Sequence, residues 1–474
     1  MYKKQKHIHF IGIGGIGMSG IAEILKQQGY MVSGCDRAKQ PENTSQLKKM
    51  GCPIYEQHDP SHIEEADIIV YSSAVDQKNP EVAAAIKKGI PVIPRAIMLA
   101  EIMRTKDSVA ISGSHGKTTT TSLISHILLE AQKDPTVIIG GILKNISTNA
   151  HLGMGNFLIA EADESDRSLL YLNPSLAVVT NIDAEHLDTY KDLNDVKETF
   201  KSFLARLPFY GKAIVCVDDP GVKSILPLTH VPTIKYGLNG NADIKGEIVE
   251  LSPSGSSFNV YATNSKIVKT FFGKIDKENF KLGTVKLNIP GKHNILNSLA
   301  AISLCLELDV PFEDIAKAIE SFKGVERRFE YKGTYKNAEI FDDYGHHPTE
   351  IKNVLSIARQ KTQKRLVVFF QPHRYSRTQK LWDDFVSTFT QYKTDVLILT
   401  DIYPASEKPI PNITSERLVK AIKEKDPRIE TIYASSYQEA TEHIKNTLQE
   451  GDVLLTLGAG KVNTVAKLLA AEDL

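Results

Sequence analysis

The chain has 474 residues with 57 basic and 57 acidic side chains, so its formal net charge is zero. This length predicts roughly three domains, and the balanced charge gives no electrostatic support for a nucleic-acid partner. Hydrophobic residues make up 42% of the chain and charged residues 24%, as in ordinary globular proteins.

Four scattered cysteines, Cys35, Cys52, Cys216 and Cys305, form no C-x-x-C pair. This spacing favours reduced thiols and argues against a zinc site. The chain has no run near the roughly 20 apolar residues that span a bilayer, and we expect a soluble, cytoplasmic protein with no membrane partner. The basic N-terminus and the apolar run after it resemble a secretory signal, but the five glycines from Gly12 to Gly20 interrupt that pattern.

Residues 1–105 alternate strand and helix patterns, which predicts a parallel sheet covered by helices. The spacing Gly12-x-Gly14-x-x-Gly17 follows the first strand pattern, and Asp36 ends the next one. Such glycines let the backbone approach a diphosphate, and the acid can accept from a ribose hydroxyl. The pattern fits NAD and a uridine diphosphate sugar equally well, and the loop alone does not choose between them.

A second α/β region covers residues 106–325 and opens with the most informative segment of the chain. An apolar run from Val109 leads into Gly113-Ser-His-Gly-Lys-Thr-Thr119 and then into a helix pattern. This order places backbone amides, a helix N-terminus and Lys117 around one anion, as in nucleotide phosphate loops. Thr118 is the natural Mg²⁺ ligand because its hydroxyl directly follows the lysine. A longer phosphate-loop pattern would have glycine at Ile111.

Two groups of acids and a histidine follow later strand patterns of this region. Glu161 is the first acid beyond the run Phe157–Ala160, where a phosphate-binding domain places a second Mg²⁺ ligand, although a solvated acidic loop has the same composition. His186 lies among acids after the run 176–180 and can bind a metal, act as a base or cap a helix.

The end of this region contains a change of pattern and a helix start. Residues 242–290 read as short alternating strands, which predicts a small antiparallel insertion. Asn294 and Asn297 begin the next helix pattern, and their amides can pair with a base edge, although Asn294 also suits a helix cap.

A third α/β region covers residues 326–474, with strand patterns at 365–370, 396–400 and 453–457. The segments 342–348 and 370–377 each follow an apolar strand, the place where α/β sheets bind ligands. Arg374 and Arg377 are spaced to clamp carboxylate or phosphate oxygens, although surface charge alone gives the same pattern.

Nine segments, in this order along nearly the whole chain, resemble the Mur ligases, ATP-dependent amide-forming enzymes of peptidoglycan synthesis. They are HFIGIGGIGMSG (9–20), YSSAV (71–75), RAIMLAE (95–101), GSHGKTTT (113–120), EADESD (161–166), NIDAEHLDTY (181–190), GKHNILN (291–297), DDYGHHPTE (342–350) and QPHRYSRT (371–378). GSHGKT alone marks the wider superfamily, whereas the N-terminal glycine loop with YSSAV and DDYGHHPTE is similar to the alanine-adding member.

The resemblance implies three α/β domains: a Rossmann-like UDP-sugar domain, a central P-loop-type ATP domain with a small antiparallel insertion, and a Rossmann-like C-terminal domain that binds the amino acid. The implied UDP-sugar residues are Gly12, Gly14, Gly15, Gly17, Asp36, Ser72, Ser73 and Arg95. The implied ATP residues are Gly113, Ser114, His115, Gly116, Lys117, Thr118, Thr119, Asn294 and Asn297. Mg²⁺ is implied at Thr118, Glu161 and His186, and catalytic or alanine-binding roles at Lys117, His186, His347, Arg374 and Arg377.

The activity that the resemblance implies is ATP-dependent ligation of L-alanine to the lactyl carboxylate of UDP-N-acetylmuramate through an acyl phosphate. It serves cell-wall biogenesis, cell shape and cell division, and we expect a monomer or weak homodimer. Ser114 stands where threonine is usual and Glu185 where aspartate is frequent. Phe200 falls where sister ligases carry a carbamylated lysine, so we expect no such modification.

Three other functions remain to be distinguished. An NAD-dependent dehydrogenase explains the first glycine loop only, and a switch ATPase explains Lys117 only. A ligase that recycles a murein tripeptide onto UDP-N-acetylmuramate explains both loops and differs only in the size of the amine substrate.

Overall fold

The computed structural model describes residues 6–38, 42–72, 74–76, 78–143, 148–186, 188–263, 265–273, 278–405 and 407–472. By their contacts they divide into two compact units. One comprises Met1–Val249, Ser257–Leu287 and Asn294–Lys323, and the other Glu250–Ser256, Asn288–His293 and Gly324–Leu474. Within the described residues, no helix is both long and apolar enough to cross a membrane.

The first region of the chain forms a five-stranded parallel sheet in the order β3-β2-β1-β4-β5. The order reverses between β1 and β4, and ligands of open α/β sheets bind at such a reversal. The strands and helices are β1 His7–Ile11, α1 Ile16–Gln27, β2 Met31–Asp36, α2 Ser45–Lys49, β3 Ile54–Glu56, β4 Ile68–Tyr71, α3 Pro80–Lys88, β5 Val92–Pro94 and α4 Arg95–Met103.

Local sequence sets the ends of these helices. Asn79 caps α3 by accepting from the backbone N of Glu81 at 2.9 Å, and Pro80 occupies the first helical position. Gly89 ends the helix with a φ of +70°, a conformation that glycine adopts without strain.

The second region forms a ten-stranded sheet in the order β15-β14-β13-β12-β11-β10-β6-β9-β7-β8. Its elements are β6 Asp107–Ser112, α5 Lys117–Glu130, β7 Thr136–Leu143, β8 Thr148–His151, β9 Phe157–Glu161, β10 Leu176–Val179, α6 Leu193–Leu204, β11 Lys212–Cys216, α7 Pro220–Ser224, β12 Thr233–Gly237, β13 Ile244–Ser252, β14 Gly255–Ala262, α8 Ser265–Phe272, β15 Phe280–Leu287, α9 Lys292–Glu307 and α10 Phe312–Ser321.

The strands predicted as an insertion continue this sheet at one edge. β13 pairs in parallel with β12 through Tyr236 and Ile244, and β14 and β15 follow it outward. Helix α8 lies between β14 and β15 in the chain, and the sequence pattern did not predict it. The division into two units does not test the domain boundaries at 105/106 and 325/326, which stay predictions from the sequence.

The third region forms a six-stranded sheet in the order β16-β17-β21-β18-β19-β20, parallel except for the β16–β17 pair. Its elements are β16 Glu330–Tyr335, β17 Ala338–Asp343, α11 Pro348–Lys361, β18 Leu366–Phe370, α12 Tyr375–Lys380, α13 Trp382–Gln391, β19 Val396–Thr400, α14 Ser415–Lys425, β20 Glu430–Ala434, α15 Tyr437–Thr447, β21 Val453–Leu457 and α16 Asn463–Glu472.

Strand β18 shows why the central strands are continuous apolar runs. Leu366, Val368 and Phe370 belong to the core on one side of the sheet. Val367 and Phe369 belong to the core on the other side. Since side chains alternate between the faces, a sheet covered on both faces needs apolar residues at every position.

Gly34 in β2 provides a test of packing beneath the first glycine loop. A Cβ at Gly34 would lie 2.5 Å from Ile13 Cδ1 and 2.7 Å from the carbonyl oxygen of Phe10. Because the backbone of β1 cannot yield cheaply, we expect Gly34→Ala to destabilise this region by about 1–3 kcal/mol. Thermal unfolding followed by circular dichroism measures the loss.

Gly15→Ala is the matched control. Gly15 has a φ of −65°, and the nearest atom to its Cβ would lie at 3.5 Å, so we expect little change in its melting temperature. Equal melting of the two variants would contradict the packing argument.

Candidate functional site

The segment between β6 and α5 forms a glycine turn that ends at the first residue of the helix. Gly113 has a φ of +135° and Gly116 a φ of +82°, conformations that residues with side chains rarely adopt. A Cβ at Gly113 would lie 2.0 Å from Thr180 Oγ1, and one at Gly116 would lie 2.6 Å from Asn297 Oδ1. Both positions therefore require glycine, and the loop leads its amides to the N-terminus of α5, where anions bind.

Residues that follow β10 hold this loop in place. The backbone N of His115 donates to Asn181 Oδ1 at 2.8 Å, and the carbonyl oxygen of His115 accepts from Asn181 Nδ2 at 2.9 Å and from Thr180 Oγ1 at 2.6 Å. The backbone N of Asp183 donates to Ser114 Oγ at 2.9 Å. The sequence analysis missed this positioning role, although a polar run directly after a buried strand was its signal.

Lys117 lies over the phosphate loop as a charged group. Its Nζ donates to the carbonyl oxygens of Gly113 at 2.6 Å and Ser114 at 3.1 Å, and it lies 2.7 Å from a carboxylate oxygen of Glu164. Burial lowers the pKa of Lys117, but the carboxylates of Glu164 and Asp163 outweigh burial and raise it. The ammonium group is therefore present at neutral pH beside the loop amides.

His186 belongs to a cluster with two acids that the sequence analysis did not select as ligands. Its Nε2 lies 3.4 Å from Glu164 Oε1 and 3.7 Å from Glu185 Oε2, and the three residues offer donor atoms within 4.8 Å of one another. Burial lowers the pKa of His186, but Glu164 and Glu185 outweigh burial and raise it. Two carboxylates and an imidazole next to Lys117 form a site of cation-binding chemistry.

The other residues predicted to bind Mg²⁺ lie on neighbouring elements. Glu161 is the last residue of β9, and β7 passes so close that a Cβ at Gly140 would lie 2.8 Å from its carboxylate. Thr118 and the buried Thr119 are the second and third residues of α5. The signal for Glu164 was its place three residues after Glu161 in the same acidic loop.

The predicted adenine residues lie against the phosphate loop. Asn297 Nδ2 donates to Asn294 Oδ1 at 3.2 Å, as expected for positions three apart on the helix α9. The close approach of Asn297 to Gly116 places this pair beside the loop.

The first glycine loop is held by the end of β2. The backbone N of Gly12 donates to the carbonyl oxygen of Cys35 at 2.8 Å, and the backbone N of Gly14 donates to Asp36 Oδ2 at 2.8 Å. Asp36 therefore positions the loop through its carboxylate. Its predicted contact with a ribose hydroxyl stays a prediction.

The first glycine loop and Lys117, which directly follows the phosphate loop, line one cavity of about 300 Å³ in the first unit. Arg95, at the start of α4, crosses it, since its Nη1 would lie 3.0 Å from a Cβ at Gly17 and its Nη2 lies 3.6 Å from Asp163 Oδ2. The cavity residues include Gly15, Gly17, Ser72, Arg95, Lys117, Glu161 and Asp163. Ser73 lies outside the described residues.

In the second unit, polar side chains collect beyond the carboxyl ends of parallel strands. His347 caps α11, accepting from the backbone N of Thr349 at 3.4 Å. Arg374 Nε donates to Glu407 Oε1 at 2.6 Å, and Arg377 Nη1 contacts His373 Nδ1 at 3.4 Å. The structure thus adds Glu407 and His373 to the arginines that the sequence selected.

Burial shifts the titration of two groups in this second cluster. Burial raises the pKa of Asp343 to about 6, against the opposing effect of Arg328. Burial, followed by the positive potential of His346, Arg377 and Arg374, lowers the pKa of His373 to about 3. His373 is therefore a neutral imidazole at neutral pH.

His373 makes stability depend on pH in a defined direction. Its folded pKa of about 3 lies below the ordinary value of about 6.5, so between these values the unfolded chain binds the proton more readily. We expect its contribution to be complete above pH 6.5 and lost as the pH falls towards 3, by at most about 1.4 kcal/mol per pH unit. His373→Asn should flatten the fall in melting temperature with pH.

His443→Asn is the control, because His443 is exposed on α15. We expect it to leave the profile unchanged. A wild-type profile in both variants would show that His373 does not carry this acid sensitivity.

Three family models match the chain in succession. They are the Mur ligase family catalytic domain over residues 7–107, the Mur ligase middle domain over 111–305 and the Mur ligase glutamate ligase domain over 327–460. Each match covers one of the three sheet regions.

Curated relatives match over the full length. The chain is 48% identical over 472 residues to a UDP-N-acetylmuramate–L-alanine ligase of Desulfatibacillum aliphaticivorans, covering 99% of both chains. It is 49% identical over 462 residues to the protein of that name in Geotalea daltonii, covering 98% of this chain and 97% of the relative.

A solved structure agrees. The UDP-N-acetylmuramate–alanine ligase of Thermotoga maritima superposes with a TM-score of 0.80 at 26% identity, covering 98% of this chain and 99% of that one. A murein peptide ligase of Psychrobacter arcticus shares the fold, with a TM-score of 0.72 at 22% identity. With three matching domain models in order and relatives near 48% identity over its whole length, this chain belongs to the Mur ligase family.

Proposed function

We propose that this protein joins L-alanine to the lactyl carboxylate of UDP-N-acetylmuramate, converting ATP to ADP and phosphate, in peptidoglycan precursor synthesis. The observation that carries the proposal is that Lys117, beside the phosphate loop, and the N-terminal glycine loop line one cavity. Full-length relatives named for this reaction support it, and ATP is the nucleotide of the family.

The two glycine loops divide the binding of the substrates. Gly12, Gly14, Gly15 and Gly17, with Asp36, Ser72, Ser73 and Arg95, would hold the UDP-sugar, whose diphosphate suits a glycine loop at a helix N-terminus. The loop Gly113–Thr119 would hold the ATP phosphates, and Asn294 and Asn297 would contact adenine. The guanidinium of Arg95 would place a positive charge between the UDP-sugar site and the ATP site.

The chemistry of the donors fits Mg²⁺, a hard cation that prefers oxygen ligands. Thr118, Glu161 and His186 would hold it, with Glu164 and Glu185 close to His186. The bound ion would neutralise negative charge on the phosphates.

The first chemical step activates a poor electrophile. The lactyl carboxylate attacks the γ-phosphorus of ATP, and the bond from this phosphorus to the β–γ bridging oxygen breaks. ADP is the leaving group, and the product is an acyl phosphate. Lys117 and the backbone amides of residues 113–119 stabilise charge on the equatorial phosphoryl oxygens, so catalysis is mainly positioning and electrostatics.

The second step forms the amide. The amine of L-alanine attacks the acyl carbon, and phosphate leaves from the tetrahedral intermediate. The alanine carboxylate would be bound by Arg374 and Arg377, and the amine proton would pass to His186 or His347. As a ligand of Mg²⁺, His186 would have its lone pair occupied by the ion, which makes His347 the better acceptor.

Phosphate release tests the proposal directly. Purified protein with ATP and Mg²⁺ should release phosphate only when both UDP-N-acetylmuramate and L-alanine are present, because each chemical step needs its own substrate. Release with a murein tripeptide instead of L-alanine would identify the recycling ligase. Release without any UDP-sugar would leave the switch ATPase as the function, and binding of NADH would favour the dehydrogenase.

Lys117→Ala separates the two nucleotide sites. Without the ammonium group beside the loop, we expect phosphate release to fall by about 10²–10³-fold or more. The affinity for UDP-N-acetylmuramate, measured by calorimetry, should change little because the first glycine loop is intact. Lys201→Ala, on the exposed face of α6, is the control and should retain activity. An equal loss of phosphate release and of affinity for UDP-N-acetylmuramate would refute the assignment of the two substrates to separate loops.

A further inference from the structure

A second cluster of metal-ligating residues lies in the first sheet, away from the phosphate loop. His9 on β1, Cys35 on β2 and Glu81 on α3 are all buried. They offer donor atoms that lie within 4.8 Å of one another. His58, whose side chain is 9% exposed, adjoins them from the segment after β3. None of these four residues has a part in the proposed ligation.

Three of the four donor atoms surround the fourth, Glu81 Oε2. Cys35 Sγ lies 2.7 Å from Glu81 Oε2 and 3.0 Å from His58 Nδ1. Glu81 Oε2 lies 3.7 Å from His9 Nε2 and 3.5 Å from His58 Nδ1. A tetrahedral ion with bonds of about 2.1 Å holds its donors roughly 3.4 Å apart. The two longer pairs match that spacing, and the two shorter pairs are hydrogen-bond contacts of the protonated thiol.

Outer contacts aim the ligands inward. Ser33 Oγ lies 2.8 Å from His9 Nδ1, which directs Nε2 of that ring towards Glu81. The other carboxylate oxygen, Glu81 Oε1, is occupied by His62 Nδ1 at 2.8 Å and by the backbone N of Asp59 at 3.1 Å. Metal sites use such outer hydrogen bonds to fix the orientation of histidine and carboxylate ligands.

His9 is the observation that a hydrogen-bonded cluster alone does not explain. Its side chain is fully buried, and among the described residues its Nε2 has no partner at hydrogen-bond distance, since the carboxylate of Glu81 lies 3.7 Å away. Burial lowers its pKa, so the ring is neutral. With the proton on Nδ1, towards Ser33, it presents a lone pair at Nε2. A buried nitrogen without a hydrogen bond is costly, and a metal ion at the centre of the cluster would satisfy it.

We propose that His9 Nε2, Cys35 Sγ and Glu81 Oε2 bind a divalent transition metal of the zinc class, with His58 Nδ1 as the fourth ligand. One thiolate, one carboxylate and two neutral imidazoles balance the two positive charges of the ion, so the buried complex is neutral. A thiolate and two imidazoles suit zinc, whereas Mg²⁺ and Ca²⁺ prefer oxygen ligands. On binding, the Cys35 thiol loses its proton to solvent, so affinity rises with pH.

The position of this site connects it to the first glycine loop. The carbonyl oxygen of Cys35 accepts from the backbone N atoms of Gly12 and Ile13 at 2.8 and 3.1 Å. The neighbouring residue, Asp36, accepts from the backbone N of Gly14. An ion bound to Cys35 would therefore fix the strand end from which the glycine loop is held.

Cobalt substitution tests the proposal in the full-length protein. The chain is stripped with a chelator and titrated with Co²⁺ in excess Mg²⁺, which occupies carboxylate-rich sites. We expect an intense near-ultraviolet thiolate-to-cobalt band that saturates at one Co²⁺ per chain and disappears when Zn²⁺ is added. Co²⁺ at His186, Glu164 and Glu185 would give no such band, since that cluster contains no thiolate.

Variants assign the band. Cys35→Ser should abolish it, and His9→Gln should weaken Co²⁺ binding on the order of 10²-fold or more, as expected for loss of a metal ligand. Cys52→Ser, which removes another buried thiol of the same region, should leave it unchanged. Absence of the band in wild-type protein, or its persistence in Cys35→Ser, would overturn the proposal.

Thermal unfolding provides a second measurement if Cys35→Ser fails to fold. Zn²⁺ should raise the melting temperature of stripped wild-type protein, because an ion that binds only the folded state stabilises it. His58→Gln replaces the one ligand that reaches the surface and should reduce this rise. An equal rise in wild type and His58→Gln, together with no cobalt band, would leave the cluster as hydrogen bonds alone.

Discussion

The shape of the phosphate loop depends on its two glycines. Side chains from two other elements occupy the space that a Cβ would need at these glycines. Thr180 occupies the space beside Gly113, and Asn297 the space beside Gly116. Thr180 belongs to the segment that carries His186, and Asn297 to the helix that carries Asn294. The close packing against the two glycines therefore also brings these functional groups to the loop. A side chain at either glycine would displace the loop and also the residues that are aligned with it.

Charge is the second constraint on this site. Lys117 is largely buried and positive, and burial alone would disfavour its charge. Glu164 compensates it and also contacts His186, so one carboxylate links the proposed phosphate-binding lysine to the proposed metal ligand. Phosphates bring negative charge and Mg²⁺ brings positive charge. Lys117 and Glu164, the groups that would meet them, already neutralise one another. Binding both as a complex therefore disturbs the charge balance of the pocket less than binding the phosphates alone.

The secondary-structure elements that could be predicted from the sequence are those marked by a pattern of neighbouring residues. The strands Val396–Thr400 and Val453–Leu457 occur with the predicted bounds, because both are mainly apolar runs between polar segments. Sequence reasoning also predicted the strand, glycine loop and helix around Lys117. It missed helix α8 and the roles of Glu164, Glu185 and Glu407. Glu164 and Glu407 contact Lys117 and Arg374, which lie 47 and 33 residues away in the chain, so their partners could not be predicted from local spacing alone.

The metal site proposed at His9, Cys35 and Glu81 would lie beyond what local spacing can predict. Cysteine spacing argued against zinc, because familiar zinc motifs place two ligands within a few residues of each other. Here the parallel order β2-β1-β4 brings β1 and β2 side by side, and α3 follows β4. One ligand comes from each of three elements spread over the chain between His9 and Glu81. Such a site is a property of the sheet topology, so it can be recognised only once the strand order is known. That same topology connects Cys35 to the backbone of the first glycine loop.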